Sequence, residues 1–531
     1  MGMQGEGNGY GDGGSNVDHK YSRIDYAGSE AADTPSSEKA IAVKKNDTRK
    51  YVFACAIFAS LNSVLMGYDV GVMSGAVIFI QEDLQISETE EEVLVGILSI
   101  VSLFGSLIGG RTSDIIGRKW TIALSAIIFQ SGGAIMALAP SFRVLMIGRL
   151  MAGVGIGFGV AIAPVYIVEI APSVARGSLT SFPEIFVNFG ILLGYISNYA
   201  FSGLSVHMSW RVMLGVGILP SIFLGFALFV IPESPRWLAM KNRIDEARLV
   251  LSKTNESEQE VEERLAEILV AAEEANTERY DKKAVWLEIL NPSPAAKRML
   301  ITGCGIQCFQ QITGIEATVY YSPTIFKHAG IQGNAQVLAA TVAVGFTKTV
   351  FILFATFLID RLGRKPLLYL STVGMTMSLL SLSLTLSFLR DNGGLGITMA
   401  LLSVCANVAF FSVGLGPICW VLSSEIFPLR LRAQASALGA VASRVSSGLV
   451  TMTFLSVCRA ITVGGTFCVF AVISGLAVLF VYGCVPETKG KSLEQIVMLF
   501  EDGGGDWQRR EVELGDAERL VSKERLSDVS W

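Results

Sequence analysis

Charged side chains are scarce in this sequence. Asp, Glu, Lys and Arg make up 17% of its 531 residues, whereas about a quarter of the residues in a soluble domain are charged. Hydrophobic residues account for 51% of the chain, and the mean hydropathy is +0.50. This shortage of charge excludes an ordinary soluble domain and indicates a membrane protein.

Histidine and loop cysteine are lacking as well. His19, His207 and His328 lie in a tail and two loop regions and show no metal-ligand spacing. The cysteines lie in apolar stretches or, for Cys458, just past the end of one, so no disulfide framework is predicted in the loops. No nucleophile–base pair stands out, and the glycine-rich "GVGIGFG" lies inside an apolar stretch rather than after a strand. We therefore expect no enzyme, no bound cofactor and no nucleic-acid partner.

Long apolar stretches are abundant instead. Windows of about 19 residues reveal a dozen of them, each long enough to cross a bilayer core of ~30 Å. We number these predicted spans one to twelve, and they cover residues 51–80, 92–112, 120–139, 143–168, 180–202, 211–231, 299–326, 336–359, 367–388, 395–423, 434–455 and 464–485. They predict an all-α, multi-pass bundle in a lipid bilayer.

The remaining charges indicate the orientation of the chain. Lys and Arg are concentrated in the loops 111–119, 232–298, 361–365 and 430–432, and the loop "QEDLQISETEEE" has neither. By the positive-inside rule, both termini and the long central loop are cytoplasmic.

The segments outside the predicted spans differ in composition. Residues 1–50 lack the features of a signal peptide and are predicted to be a disordered tail. Residues 487–531 form a second, short polar tail. In the loop 232–298 the apolar residues recur at roughly helical spacing, which predicts amphipathic helices under the membrane domain. Examples are Leu249, Leu251, Val261, Leu265 and Ile268.

An internal repeat divides the spans into two groups of six. "GGRTSDIIGRKW" recurs as "ATFLIDRLGRKPL", and "PESPR" after span six recurs as "PETKG" after span twelve. Glu169 and Arg176 match Glu425 and Arg432 at the same separation. The repeat predicts two parallel halves, 51–231 and 299–486, with substrate bound between them near the midplane.

These motifs carry a family resemblance. "D-x-x-G-R-K" in both halves, "PESPR", "PETKG", "GRLMAGVGIGFG" and "FQQITGIEATVYYSP" resemble the sugar porter branch of the major facilitator superfamily. The resemblance covers roughly residues 51–500, and "SFPEIFVN", "GIEATVYYSP" and "ALGAVASRVSSG" are most similar to plant polyol and monosaccharide transporters. It implies a twelve-helix major facilitator fold and a plasma-membrane location, with the vacuolar membrane as the alternative. One chain encloses a complete pathway, so we expect a monomer.

Asp69 places a carboxylate near the middle of span one. A charge there costs at least ~2.5–3.5 kcal/mol on insertion scales, so it should face the bundle interior with a partner. Arg149, a few residues into span four, is the expected partner, and Gly67, Gly71 and Gly75 permit close helix approach. Two interpretations remain open, a structural ion pair and a proton-coupling site. In the family that this chain resembles, an Asp and an Arg at these positions mark proton symporters.

The second candidate site is the central cavity. Hydroxyl-rich substrates suit amides, tyrosine hydroxyls and a flat aromatic ring. "FQQITGIEATVYY" supplies Gln310, Gln311, Tyr320 and Tyr321, with Gly314 allowing a local bend, and "GPICW" supplies Trp420. The resemblance implies that Gln310, Gln311 and Trp420 contact substrate. Ordinary packing is the alternative for these positions.

The cavity also departs from the common sugar-porter pattern. Glu184 stands where many members have Gln, Glu316 and Lys348 each replace an Asn, and Arg444, preceded by Ser443, replaces a Trp. We predict that Glu316 pairs with Lys348, and Glu184 with Arg444 across the two halves. These charges either bind substrate hydroxyls or only hold helices together.

The third candidate site is a cytoplasmic gate. Asp114 and Arg118 lie in one short loop and Asp360 and Arg364 in its repeat, while further charges lie at inner helix ends. The resemblance implies a charge network across both halves that closes the cytoplasmic gate in the outward-facing state. Plain positive-inside topology, the alternative, explains the arginines but not the recurring Asp and Glu. The inner-end residues are Glu169, Arg176, Glu425 and Arg432.

The sequence therefore predicts proton-coupled symport of a polyol or monosaccharide by alternating access, with protons as the coupling ion. A passive facilitator and a non-transporting sugar sensor are the alternatives. The sequence names neither the preferred substrate nor the membrane.

Overall fold

A computed structural model describes residues 35–172, 179, 181–255, 257–277, 289–389 and 393–489, together with positions 491, 496, 499 and 500. Side chains are described from Asp47 onward, with a few exceptions that include Asp360. Most of both predicted tails therefore lies outside the described residues. The first helix begins at Pro35, inside the segment that was predicted to be disordered.

The described residues form α-helices joined by short connections, as predicted. We label the helices α1 to α19 in chain order. They are α1 Pro35–Leu84, α2 Glu88–Ile116, α3 Arg118–Ala137, α4 Phe142–Ile170, α5 Phe182–Phe201, α6 Val206–Val216, α7 Ile218–Val230, α8 Pro235–Met240, α9 Ile244–Thr254, α10 Glu258–Thr277, α11 Pro294–Ile312, α12 Ile315–Tyr320, α13 Ser322–His328, α14 Asn334–Leu362, α15 Arg364–Phe388, α16 Gly394–Val413, α17 Leu415–Ile426, α18 Leu429–Ile461 and α19 Val463–Cys484.

Twelve segments of this series cross the bundle. Ten stretches are long and apolar enough to span a membrane within the described part of the chain, and α5 and the α11–α13 segment complete the set. Span seven is divided because Gly314 adopts φ +81°, so the bend predicted there is present. Span ten breaks at Gly414, between α16 and α17. The apolar pattern predicts neither the break in span ten nor the start of α1 at Pro35.

The crossings define two ends of the bundle. The basic end contains Arg118, Arg364 and the helices α8–α10, and the acidic end contains residues 82–92. The helices α8, α9 and α10 bury a small apolar cluster of their own, which includes Trp237, Leu251 and Leu265. The predicted amphipathic helices are therefore present, although Leu249 is 59% exposed.

Glycines set the closest helix contact around Asp69. A Cβ at Gly67, Gly71 or Gly75 would overlap atoms of α5, so the predicted small-residue ridge packs α1 against α5. The Asn198 amide then donates to the Gly71 carbonyl at 3.0 Å. This contact fixes the rotation of α1 about its axis, and thus the direction of Asp69.

The two six-helix halves pack against each other along two helix pairs. The pair α2–α18 and the pair α5–α14 carry the principal contacts between halves. Spans two and eight, and spans five and eleven, occupy equivalent places in the repeat. The two pairs are therefore repeat-related interfaces between the halves.

Candidate functional site

Asp69 and Arg149 form a buried ion pair in the N-terminal half. The Arg149 Nη1 donates to Asp69 Oδ2 at 2.6 Å, and the two side chains are 0% and 2% exposed. Arg149 Nε donates to the Leu94 carbonyl on α2 at 2.9 Å. The predicted pairing is therefore present, and it ties α1, α2 and α4 together.

One donor of this pair is left over. The second terminal nitrogen of Arg149, Nη2, is buried and has no hydrogen-bond partner among the described residues. Tyr320, buried on α12 in the other half, lies within electrostatic range of Arg149, Asp69, Glu316 and Arg444. The pair is thus sealed from water but electrostatically linked to the cavity charges.

The two predicted amides of span seven cross-link the C-terminal half. Gln310 Nε2 donates to the carbonyls of Leu415, at 3.3 Å, and Gly416, at 2.9 Å, just past the break in span ten. Gln311 Nε2 donates to Ser443 Oγ at 3.1 Å, and its Oε1 is buried without a partner in the described structure. An acceptor left open in this way suits a substrate hydroxyl.

A third amide on the same helix was missed by the sequence analysis. Gln307 is 1% exposed, its Nε2 donates to Ser423 Oγ at 2.7 Å, and its Oε1 is also without a partner among the described residues. It lies one helical turn before Gln311, so the i, i+4 spacing of two glutamines was the available signal.

The predicted pairs of cavity charges are wrong for this structure. Neither Glu316–Lys348 nor Glu184–Arg444 is among the ion pairs within 4.0 Å that the described residues form. Glu316 instead accepts a short hydrogen bond from Ser447 on α18. Lys348 lies within electrostatic range of Glu184 first and Glu316 second, so one lysine faces an acid from each half.

The aromatic candidates separate into two roles. Trp420 is 41% exposed, and its ring is available to a ligand. Tyr321 points away, because its hydroxyl donates to the Thr451 carbonyl at 3.0 Å and its ring stacks on Phe454. Tyr321, which lies between α12 and α13, therefore bonds span seven to α18 rather than lining the cavity. Tyr320 is 3% exposed and lies among the central charges.

At the basic end, the N-terminal half closes a charge network on itself. Arg118 binds both carboxylate oxygens of Glu169, at 3.0 and 3.2 Å, and reaches Asp114 at 3.3 Å. Glu233, from "PESPR", accepts from the backbone N–H groups of Arg118 and Lys119, which begin α3, and of Ser234. Burial raises the pKa of Glu233 above its usual range, and these three donors offset the rise only in part.

The C-terminal half repeats this network residue by residue. Arg364 binds Glu425 at 3.0 Å, and Glu487 accepts from the N–H groups of Arg364 and Lys365 at the start of α15. Thr488 donates to Glu425 just as Ser234 donates to Glu169, at 2.5 Å in both cases. The roles of Glu233 and Glu487 were missed, although the repeated "PES" and "PET" carried the signal.

The glycines before α3 and α15 make these networks possible. Gly117 and Gly363 have φ of +101° and +98°, a region that other residues rarely adopt. A Cβ at either position would also crowd the glutamate that caps the next helix. The "GRK" turn of each half thus requires glycine for two reasons, the positive φ and the lack of space for a Cβ.

The gate network across both halves was predicted for the outward-facing state, and it stays a prediction for that state. The ion pairs described at the basic end each lie within one half. Asp114 is largely exposed, and Arg432 donates to the Phe427 carbonyl rather than to an acid. Arg176 lies outside the described residues, as does the side chain of Asp360.

Comparison with known proteins agrees with this geometry. The pattern of the family described as "Sugar (and other) transporter" matches residues 55–500. The chain is 69% identical to "Probable polyol transporter 4" of Arabidopsis thaliana over 96% of this chain and 95% of that protein. It is 46% identical to "Polyol transporter 5" of the same plant, over 93% and 95%.

The fold is similar to that of a bacterial transporter. The major facilitator superfamily proton:xylose symporter XylE, bound to 6-bromo-6-deoxy-D-glucose, superposes with a TM-score of 0.71 at 28% identity, over 86% of this chain and 100% of that one. An inward-open structure of XylE from E. coli gives the same TM-score. With this fold and these relatives, the chain is a multi-pass membrane transporter rather than an enzyme, and it belongs to the sugar transporter family of the major facilitator superfamily.

Proposed function

We propose that this protein carries a polyol or monosaccharide across a membrane together with protons, by alternating access of the central cavity. The observation that carries the proposal is the buried Asp69–Arg149 pair. A fully sealed charge pair is costly to build and unnecessary for a passive pore, whereas a carboxylate whose only ionic partner can move away is suited to proton exchange.

The coupling works through competition for Arg149. When Asp69 takes up a proton, it releases one guanidinium hydrogen bond, and Arg149 already has a second donor without a partner. The change is felt at Tyr320 on the opposite half, which faces both members of the pair. Protonation thereby favours the transition of the loaded carrier, and deprotonation on the other side follows substrate release.

The substrate site combines neutral and charged groups. We assign Gln311, with its open acceptor, and the exposed ring of Trp420 to the hydroxyls and the apolar face of the substrate. Lys348, within electrostatic range of Glu184 and Glu316, supplies charge-assisted hydrogen bonds to the substrate. A flexible polyol satisfies such a mixed site as readily as a ring sugar. The relatives at 69% and 46% identity are named polyol transporters, which supports this substrate class.

We place the basic end and both termini in the cytoplasm, because the arginine-rich turns lie at that end. We further propose a monomer in the plasma membrane, with the vacuolar membrane as the alternative location.

The test is uptake of labelled sorbitol, myo-inositol, glucose and xylose by transport-deficient yeast at acidic and neutral external pH. Wild type should accumulate substrate, acid should stimulate uptake, and an uncoupler should abolish it. Asp69→Asn should lose accumulation. Asp83→Asn is the matched control, because Asp83 lies on the same helix but pairs with Arg211 and Trp210 at the acidic end.

Equilibration that ignores pH would identify a facilitator, in which Asp69 is only a structural partner of Arg149. A correctly localised protein that takes up none of the four substrates would indicate a sensor. Either result overturns the proposal.

A further inference from the structure

The interface between α2 and α18 contains a ladder of contacts that no proposed role yet explains. The two helices run antiparallel, and residues four apart on α2 meet residues about four apart on α18. Glu88 faces Arg459, Glu92 faces Ser456, Gly96 faces Met452, and Ile100 faces Gly448. Each rung joins one half of the transporter to the other, and the rungs extend from the acidic end toward the middle.

The second rung is the best bonded. Glu92 is 3% exposed, and its carboxylate accepts from the Ser456 N–H at 2.7 Å and from the Ser456 hydroxyl at 2.6 Å. A buried carboxylate requires such donors, because losing them leaves an uncompensated charge. The acidic end therefore cannot open without hydrating Glu92, so this residue resists opening until water enters.

The innermost hydrogen bond of the interface leads into the cavity. Ser99 and Ser447 lie 3.0 Å apart across the halves, and the Ser447 hydroxyl donates to Glu316. Because a hydroxyl has one hydrogen, Ser99 must be the donor to Ser447. The Glu316 carboxylate thus orients Ser447 so that its lone pair accepts from the opposite half.

The repeat-related interface lacks this arrangement. Along α5 and α14 the described contacts are a hydrogen bond from Thr349 to the Asn188 carbonyl at 3.2 Å and the packing of Gly345 against Tyr195 and Leu192. The described residues form no carboxylate hydrogen bond or ion pair within 4.0 Å there, and Glu184 on α5 lies only within electrostatic range of Lys348 on α14. Among the described residues, the hydrogen bonds of Glu92 to Ser456 and of Glu316 to Ser447 belong to the α2–α18 interface only. Packing of the halves therefore does not in general require such carboxylate bonds.

We propose that Glu92 and Glu316 are gating residues that hold the acidic end closed, Glu92 directly through Ser456 and Glu316 through Ser447 and Ser99. A substrate hydroxyl that donates to Glu316 competes with Ser447, so binding in the cavity weakens the inner hold. The inference rests on the proposed transport by alternating access, and it gives Glu316 a positioning role in addition to substrate contact.

The experiment measures opening of the acidic end directly. The reporter is Met452→Cys at the third rung, in a background in which all eight native cysteines are replaced by Ser or Ala. A membrane-impermeant maleimide labels it when the helices separate. Intact cells and inside-out vesicles are both used, so that the acidic end is exposed in one preparation whatever the orientation. Without substrate, Glu92→Ala and Ser447→Ala should each raise the labelling rate on the order of tenfold, because hydrogen bonds to a charged group are among the stronger ones.

Matched variants separate gating from general loosening. Glu82→Ala removes an exposed acid at the same end that forms no ion pair within 4.0 Å in the described structure and lies only within electrostatic range of Lys327. It should label within about twofold of wild type. Glu316→Gln retains an acceptor for Ser447 and should stay near wild type, whereas Glu316→Leu should label as fast as Ser447→Ala. Ser99→Ala should match Ser447→Ala, and the double variant should not be additive.

The last part of the experiment measures labelling in the presence of substrate. Saturating sorbitol should accelerate labelling of the wild-type reporter protein and leave Ser447→Ala unchanged. Wild-type labelling rates in Glu92→Ala and Ser447→Ala would overturn the gate, even if transport is normal. If the wild-type protein takes up none of the four substrates while these variants still label fast, the proposed function is overturned and the gate stands.

Discussion

At the basic end of the bundle each half is bonded to itself, whereas at the acidic end the halves are bonded to each other. Arg118–Glu169 and Arg364–Glu425 are internal to their halves, and they join equivalent residues of the repeat. Glu88–Arg459, Glu92–Ser456 and Ser99–Ser447 all cross between halves. The difference shows which end is closed in this state, and it separates rigid parts from moving parts.

The internal networks make each half a rigid body. Glu233 and Glu487, which follow spans six and twelve, cap the first N–H groups of α3 and α15. The paired arginines bind a glutamate at the end of the next span, Glu169 and Glu425. Rocking requires bodies that move without deforming, and bonds that can break between them. The charge networks inside each half therefore recur in both halves. The ladder of contacts between the halves occurs, among the described residues, only at the α2–α18 interface.

The largest expected effect comes from blocking closure of the acidic end. A Cβ at Gly96 would overlap Met452 and Thr451, so Gly96→Leu should hold α2 away from α18. We expect uptake to fall by about a hundredfold or more, because the closed state becomes inaccessible, together with faster labelling from that side. Gly110→Leu, on the same helix with open space around it, is the control. Normal uptake by Gly96→Leu would show that the ladder does not close during transport.

Breaking the rigid part should cost stability, and more in one half than in the other. The Arg118–Glu169 side chains are 8% and 9% exposed, against 14% and 23% for Arg364–Glu425. Glu169→Gln should destabilise the protein by ~3 kcal/mol, since it leaves the buried Arg118 with the exposed Asp114 in place of its buried counter-ion, and Glu425→Gln by about half as much. Thermal unfolding in detergent, followed by size-exclusion chromatography, measures both. Equal losses would contradict the difference in burial.

The two helix caps should instead behave alike. Glu233→Ala and Glu487→Ala each remove an acceptor from the N–H groups that begin a helix after a glycine turn. A lost cap costs ~1–2 kcal/mol, so both variants should lower the unfolding temperature by similar amounts. Glu246→Ala, whose carboxylate pairs with Arg243 on the exposed surface of α9, should change it little. A large difference between the two losses of unfolding temperature would show that the halves are not equivalent.

The smallest effect is expected at the outermost rung. Arg459 and Glu88 are 67% and 48% exposed, and exposed ion pairs contribute ~0–1 kcal/mol. Arg459→Gln should change uptake by less than about twofold, and high salt should remove even that difference. An effect as large as that of Glu92→Ala would place the main hold of the gate at the rim rather than at the buried carboxylate.

Some of the site was within reach of the sequence. Asp69 and Arg149 had to find partners because a lone charge is costly in a bilayer, and the glycine ridge indicated close packing. The cavity charges were identified but paired wrongly. Counting two acids and two bases suggested neutral pairs, yet Glu316 is held by Ser447, and Lys348 lies within range of two acids. Tyr321 was misplaced for a similar reason, because "YY" does not show which ring faces the cavity.

The sequence by itself determined the helical membrane class, the two repeated halves and the position of the central charge pair. Hydropathy, charge bias and repetition are local properties that need no knowledge of neighbours. Only the tertiary structure decided that the acidic end is closed, that each arginine network stays within its half, and that Glu316 reaches the opposite half through Ser447. These outcomes depend on the rotation and register of helices whose contacting residues are hundreds of positions apart, such as Ser99 and Ser447, separated by 348. A side chain's direction follows from packing, and packing is a property of the whole bundle.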